Sequence, residues 1–152
     1  MNPLIEELHA GLPDAQGAAR ILVRLLAAIL FGSIIGVERE HVGKAAGLRT
    51  HLLVALGAAI FVLAPIESGM APTDISRIVQ GLAAGIGFIG AGTILKLTNE
   101  REIRGLTTAA SIWLTAGVGV AAGLGRLALG LVVAMLGWVT LVLQERHHHH
   151  SA

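Results

Sequence analysis

Five long apolar runs fill most of the chain and restrict what it can fold into. They cover residues 22–37, 52–66, 106–124 and 127–143, and a further stretch from residue 75 or 78 to 95. The hydrocarbon core of a bilayer is about 30 Å thick, which a helix of roughly 20 mainly apolar residues crosses. Runs of this length exceed ordinary strands, and a helix satisfies its own backbone hydrogen bonds in lipid. We therefore expect an all-α fold, an integral membrane bundle of five transmembrane helices.

The composition excludes several classes of function. Of the 152 residues, 54% are hydrophobic and 14% are charged, and the mean hydropathy is +0.74. Soluble domains carry about 25% charged residues, so a soluble enzyme is not expected. A formal net charge of +1 argues against nucleic-acid binding, and the lack of cysteine rules out disulfides and zinc–thiolate sites. The sequence contains no zincin or Walker A motif, and we expect no enzyme, no cofactor and no metal.

Positive charge is unevenly divided between the two sides of the predicted bundle. The first and third loops and the C-terminal end carry seven Lys and Arg residues, and the other side carries four. Cytoplasmic loops are enriched in these residues, so the N-terminus is expected outside and the C-terminus in the cytoplasm. This divides the chain into an N-terminal extracytoplasmic segment (1–19), a five-helix transmembrane domain (20–144) and a tail (145–152) whose histidines resemble an appended tag.

A weak internal repeat has an offset of 58 residues. Residues 47–50 read Gly-Leu-Arg-Thr and residues 105–108 read Gly-Leu-Thr-Thr, and Gly32 aligns with Gly90 at the same offset. The repeat predicts two parallel helical hairpins followed by a fifth helix. The other interpretation is coincidence within a sequence dominated by Gly, Ala and Leu.

Glycines concentrate inside the apolar runs. Residues 85–90 spell G-x-G-x-x-G, but the motif lies within a continuous apolar run, which does not suit dinucleotide binding. Small residues let transmembrane helices approach closely, as the Gly-x3-Gly spacings at 32–36 and 119–123 also suggest. The glycines expected to pack helices are Gly32, Gly36, Gly81, Gly85, Gly87, Gly90 and Gly92. Alternatively, those of the third run break its helix and leave carbonyls to line an ion site.

Charged residues close the first run. Glu38, Arg39 and Glu40 form an ion-pair network or dock a partner, or else are plain interfacial charge. His41 and His51 are expected at the membrane interface and not as metal ligands.

The third run begins with polar residues. Thr73 or Asp74 is the expected N-cap of its helix, and Asp74 and Arg77 lie three residues apart on one face. Ionisable residues near the bilayer are candidates for function, although a helix cap with a snorkelling arginine explains this pair equally well. Arg24 is expected to face Asp74. In the fourth run, the hydroxyls of Thr107, Thr108 and Ser111 can bond backbone carbonyls or a facing helix.

Four ordered motifs resemble the MgtC/SapB family of membrane proteins. They are G-S-I-I-G-V-E-R-E at 32–40, A-G-L-R-T-H at 46–51, D-I-S-R at 74–77 with G-I-G-F-I-G-A-G at 85–92, and R-G-L-T-T-A-A at 104–110. The resemblance covers about residues 20–125 and implies five spans with a cytoplasmic C-terminus. The family-motif positions are Glu38, Arg39, Glu40, Arg49, Thr50, Asp74, Arg77, the glycines of 85–92, Thr107 and Thr108.

The resemblance also implies a role in the bacterial inner membrane. Members of the family support growth at low Mg²⁺ and virulence inside macrophages, and one interpretation is that they restrain the F-type ATP synthase. The best-known members also carry a cytoplasmic ACT-like C-terminal domain. Because this sequence ends a few residues after the fifth run, we expect either that the domain is lacking or that the sequence is truncated. We expect a non-enzymatic regulator that contacts membrane partners in the lipid bilayer. The alternative is a small transporter or channel for Mg²⁺ or another solute, expected to be a homo-oligomer.

Overall fold

A computed structural model describes residue 2 and the ranges 13–96 and 103–149. Five helices lie within these residues: α1 (Ala15–His41), α2 (Leu48–Glu67), α3 (Pro72–Ala91), α4 (Leu106–Gly123) and α5 (Leu127–His149). Between α3 and α4, β1 (Leu95–Lys96) pairs antiparallel with β2 (Ile103–Arg104). The expected all-α class is confirmed.

Three described helices suit a membrane crossing. By length and composition α1, α2 and α4 are long and apolar enough to span a bilayer, and α5 has a shorter apolar stretch, Leu127–Leu143. Because α3 starts with polar residues, including Asp74 in its first turn, its apolar part is shorter than its 20 residues.

Several helix ends differ from the sequence-based expectation. α1 begins at Ala15, where Asp14 accepts a hydrogen bond from the backbone N–H of Gly17 at 2.8 Å, so the helix starts inside the segment expected to be extracytoplasmic. α3 has Ala71 as its N-cap, because Pro72 suits the first helical position, and the expectation of a Thr73 or Asp74 cap is wrong. Part of the expected tail is helical, since α5 extends to His149.

Some expectations fall on parts of the chain outside the described residues. These are most of the N-terminal segment (1 and 3–12), the third loop at 97–102, and the last residues of the tail, 150–152.

The centre of the bundle is a contact between α2 and α4 made at glycines. A Cβ on Gly119 would clash with the backbone carbonyl of Ala55 and lie 2.9 Å from the Cβ of Ala58. One turn on, a Cβ on Gly123 would lie 2.7 Å from the carbonyl oxygen of Ala59. Backbones this close leave no room for a side chain, so the two helices touch through their main chains.

α1 approaches α2 in the same way. A Cβ on Gly32 would lie 2.9 Å from the carbonyl oxygen of His51, and one on Gly36 would lie 2.9 Å from the Cα of Leu48. The predicted packing role of Gly32 and Gly36 therefore has a specific partner, the first two turns of α2.

α5 covers the groove between α1 and α4. Gly130 lies directly over the ring of Phe31, and Gly137 lies over Leu114. The buried apolar core that results draws on four helices: Ala28, Phe31, Ile35, Ala55, Ala59, Val118, Ala122, Ala134 and Leu141.

The two hairpins, α1–α2 and α3–α4, repeat one contact at the predicted offset. Gly32 packs on the carbonyl of His51, and 58 residues later Gly90 packs on the carbonyl of Ala109, where a Cβ would lie 3.4 Å from the oxygen. Gly47 and Gly105 are the N-caps of α2 and α4 at the same offset. The second hairpin is looser, because α3 buries only Ile86 and Gly90.

Candidate functional site

A cluster of buried polar side chains lies at one end of the bundle, where α1 ends and α2 and α4 begin. We call it the polar cluster, and its members are Glu38, Arg39, His51, Thr108, Ser111 and Thr115. Buried polar groups in an apolar bundle are costly unless they are hydrogen-bonded, and ionisable ones in a membrane domain are candidates for function.

Glu38 and Arg39 form a bidentate ion pair in the last turns of α1. Arg39 donates from Nη2 to Glu38 Oε1 at 2.6 Å and from Nε to Oε2. The residues are only 7% and 1% exposed. Two parallel charge-assisted bonds fix the guanidinium in the plane of the carboxylate and cancel the charge of the pair. Of the alternatives for residues 38–40, an ion pair is present between Glu38 and Arg39, and it is buried. Docking of a partner stays a prediction.

His51 connects α2 to α4. Its Nδ1 lies 2.8 Å from the carbonyl oxygen of Gly47 and its Nε2 lies 3.2 Å from Ser111 Oγ. A carbonyl only accepts, so Nδ1 carries a hydrogen. The side chain is fully buried within the bundle. It is enclosed because Gly36 lets α1 approach: a Cβ there would lie 3.0 Å from the Cβ of His51.

The His51–Ser111 contact can be measured by a double-mutant cycle. We expect H51A and S111A each to destabilise the protein and the pair to show a coupling free energy of about 1 kcal/mol, because both changes remove the same contact and S111A also leaves the buried Nε2 of His51 without this partner. Unfolding in detergent, followed by circular dichroism, supplies the free energies. H41A is the matched control and should change little, since His41 is exposed. Strictly additive effects would contradict the contact.

The remaining hydroxyls of the polar cluster bond within α4. Ser111 Oγ donates to the carbonyl oxygen of Thr108 at 2.8 Å, and Thr115 Oγ1 donates to that of Ser111 at 2.8 Å. Such bonds satisfy hydroxyls inside a helix. One face of α4 carries Thr108, Ser111 and Thr115, because they are spaced three and four residues apart. Thr107 lies beside this face and is partly exposed.

Glu40 lies in the last turn of α1, beside the loop that leads to α2. Its Oε2 accepts a hydrogen bond from the backbone N–H of Leu48 at 2.7 Å and so caps the start of α2. Gly47 leaves space for this carboxylate, because a Cβ there would lie 2.8 Å from Oε2. Arg49 is exposed and Thr50 is partly exposed. Both lie on α2 but are not members of the polar cluster.

Asp74 and Arg77 lie at the other end of the bundle, where α3 begins. Arg77 Nη1 is 3.5 Å from Asp74 Oδ1, and their side chains are 80% and 44% exposed. An exposed pair of this kind stabilises a protein by at most about 1 kcal/mol. Arg24 does not join it but donates from Nη1 to the carbonyl oxygen of Gly123 at 2.9 Å, at the end of α4.

The glycines of α3 behave differently from those of α1 and α4. A Cβ on Gly81, Gly85 or Gly87 would meet no atom within 4 Å, so these glycines do not pack helices within the described part of this chain. Gly92 follows the helix as its C-cap. α3 is continuous from Pro72 to Ala91, and the alternative of a broken helix is wrong.

Sequence reasoning missed two members of the polar cluster. His51 was assigned to the interface, and Thr115 was not singled out. The signal for His51 lay in neighbouring glycines: Gly32 and Gly36 predict a close approach of α1, which encloses the facing part of α2. No group of three or more His, Cys, Asp or Glu side chains suited to a metal ion occurs in ranges 13–96 and 103–149.

These features define a small helical membrane protein, with apolar helices of membrane length, main-chain contacts at glycines and a buried polar cluster at one end. The chain belongs to the MgtC family, whose family model matches residues 25–150. The resemblance inferred from the four motifs is thereby confirmed. No solved structure matches the chain.

Three relatives are similar to this chain over most of its length. Protein SrpB of Synechococcus elongatus is 46% identical over 129 residues, 78% of this chain and 71% of that protein. Protein MgtC of Salmonella typhimurium is 43% identical over 115 residues, 76% of this chain and 48% of that protein. The Escherichia coli K12 protein named "Putative magnesium transporter YhiD" is 40% identical over 138 residues, 86% of this chain and 61% of its own length. The chain thus spans about half the length of the Salmonella relative.

Proposed function

We propose that this protein is a non-enzymatic regulator of the bacterial inner membrane that acts through helix–helix contacts with membrane partners. All five helices cross the bilayer, with the N-terminus outside and the C-terminus in the cytoplasm. The F-type ATP synthase is the partner that the family resemblance favours, in adaptation to low Mg²⁺ or in virulence. The observation that carries the proposal is the close-packed, mainly apolar interior of the bundle.

Within the described residues, the interior offers no continuous polar route between the two charged regions. Glu38 on α1 and Asp74 on α3 lie near opposite ends of α2, a helix of 20 residues and therefore about 30 Å long. Apart from Thr115, the core between them is apolar, and Ala55, Ala59 and Ala122 are completely buried. An ion path needs polar groups that replace water around the ion. Because small apolar side chains and backbone fill this space, the geometry supports a protein that presents surfaces to partners.

A second candidate function is a small transporter or channel. It is supported by the word "transporter" in the name of the Escherichia coli relative. It is also supported by a cavity of about 420 Å³ between α4 and α5, to which Thr107, Ser111 and Thr140 contribute hydroxyl groups. The cavity lies beside the polar cluster at one end and is otherwise lined by apolar residues.

The orientation in the membrane is open to a direct test, because the chain contains no cysteine. We expect a membrane-impermeant maleimide added to intact spheroplasts to label Ser68→Cys, which follows α2, and to leave K44C unlabelled, since the α1–α2 loop faces the cytoplasm. Both positions are exposed. Lysed cells provide the control and should label both. The opposite pattern in intact spheroplasts would reverse the proposed topology.

Two assays separate the regulator from the transporter. In inverted vesicles from cells that produce the chain, we expect ATP-driven proton pumping to fall below that of vesicles without it. In liposomes, the purified chain should give no Mg²⁺ flux above empty liposomes. Unchanged proton pumping would refute the ATP synthase as the partner. A Mg²⁺ flux that T107A/S111A/T140A abolishes would establish the transporter instead.

A further inference from the structure

An apolar groove runs along the outside of the bundle between α2 and α3. Its volume is about 900 Å³, and it is lined by residues that include Ile60, Ala64, Gly85, Ile86 and Ile89. Ile86 forms its buried floor, whereas Phe88 on its rim is 84% exposed. No helix in the described ranges of this chain covers this groove, which we call the α2–α3 groove.

The internal repeat relates this groove to one that a helix fills. α5 lies between α1 and α4, where its Ala134 and Leu141 join a core containing Ala28, Phe31, Val118 and Ala122. The repeat offset of 58 residues relates Ala28 to Ile86, Phe31 to Ile89, Val118 to Ile60 and Ala122 to Ala64. All four of these counterparts line the α2–α3 groove. The α2–α3 groove therefore corresponds, position by position, to a surface on which the same fold seats a transmembrane helix.

We propose that the α2–α3 groove of one molecule receives α3 of a second copy, so that the protein is a two-fold dimer. In such a dimer both molecules use the same surface. The direction of α5 on α1 agrees with this arrangement of α3 in the dimer. α5 begins where α4 ends and therefore runs parallel to α1, the counterpart of α3. A two-fold axis along the membrane normal places α3 of the second copy parallel to α3, which is the direction the groove accepts.

The surface of α3 is self-complementary. The side chain of Phe88 projects beside open glycines, since a Cβ on Gly81 or Gly85 would meet no atom within 4 Å. α5 shows how such a helix is seated, because it places Gly130 over Phe31, the counterpart of Ile89. In the dimer, the Phe88 ring of each copy enters the space left by glycines of the other.

The groove side of α3 begins with charged residues and continues with glycines. Asp74 and Arg77 lie on the same side of α3 as Gly81. The outer face of α5 contrasts with this surface, because large side chains such as Leu129, Met135 and Leu136 cover it, as is usual where helices meet lipid.

Disulfide trapping in native membranes tests the dimer, and it applies whether or not the protein regulates a partner. In this cysteine-free chain we expect G81C, which lies in the groove, to form a product of twice the monomer mass on oxidation. G87C, on another face of α3, and M135C, on the outer face of α5, should remain monomeric. Absence of the product from G81C, or equal yields at all three positions, would overturn the proposal.

A matched pair of substitutions tests the groove itself. G85L fills it and should make the protein monomeric, whereas G87L should keep the dimer; neither clashes within one chain, because a Cβ at either position meets no atom within 4 Å. Sedimentation in detergent and photobleaching in liposomes give the stoichiometry, and equal unfolding temperatures show that both variants fold. A monomeric wild type, with lipid in the groove, overturns the proposal. Cross-linking of G81C to a different protein, and not to a second copy, would also overturn the proposal.

Discussion

The substitution G119L is expected to abolish the folded bundle. The new side chain would project into the backbone of α2 at Ala55 and meet Ala58, so α2 and α4 would have to separate. This contact is the centre of the core, and neither helix can move without also disturbing α1, which packs on both. Overpacking of a well-packed core costs about 1–3 kcal/mol and more where backbone must move. We expect a loss of about 3 kcal/mol or more, seen as a lower midpoint of unfolding in detergent.

Gly117 supplies the matched control for this experiment. It lies two residues earlier in the same helix, and a Cβ there would meet no atom within 4 Å. G117L therefore adds the same side chain to the same helix on its open side and should leave the unfolding midpoint nearly unchanged. If G117L and G119L were equally unstable, helix propensity and not the contact with α2 would explain the effect.

A comparison of two Gly-x3-Gly faces shows what the sequence could and could not predict about helix packing. Gly119-x3-Gly123 and Gly81-x3-Gly85 have the same spacing, and both predict a face of small residues. The first face meets α2 within this chain, and the second meets nothing in the described residues. Spacing fixes which residues share a face, but the neighbour depends on the arrangement of all the helices. The number of helices was predictable because each apolar run is long enough to form one.

The polar cluster likewise has one feature that the sequence predicted and one that it did not. The motif at residues 38–40 indicated an ion pair, and the ion pair is present between Glu38 and Arg39. Its burial was not predicted, because charged residues at the end of a span are usually solvated. Burial follows from the glycines of α1 and from the nearby start of α4, both of which are tertiary features. The burial of His51 was not predicted for the same reason.

The substitution E38Q is expected to have the second large effect. It removes the carboxylate charge that faces the guanidinium of Arg39, a residue that is 1% exposed. Breaking a buried ion pair by removing one partner costs about 3–5 kcal/mol, because the other charge stays buried and loses its opposite charge in the pair. We expect a loss of this size in the free energy of unfolding in detergent. E67Q makes the same chemical change at an exposed carboxylate and should cost less than about 0.5 kcal/mol.

A charge-removing double variant separates the ion pair from simple packing. In E38Q/R39Q both charges of the pair are removed, so the double variant should be more stable than E38Q alone even though it carries two changes. Such a reversal is expected when the single variant suffers from the loss of the opposite charge. A double variant as unstable as the sum of its two single variants would show that Glu38 and Arg39 contribute independently, through shape and hydrogen bonds to other groups. The polar cluster would then not be organised by their ion pair.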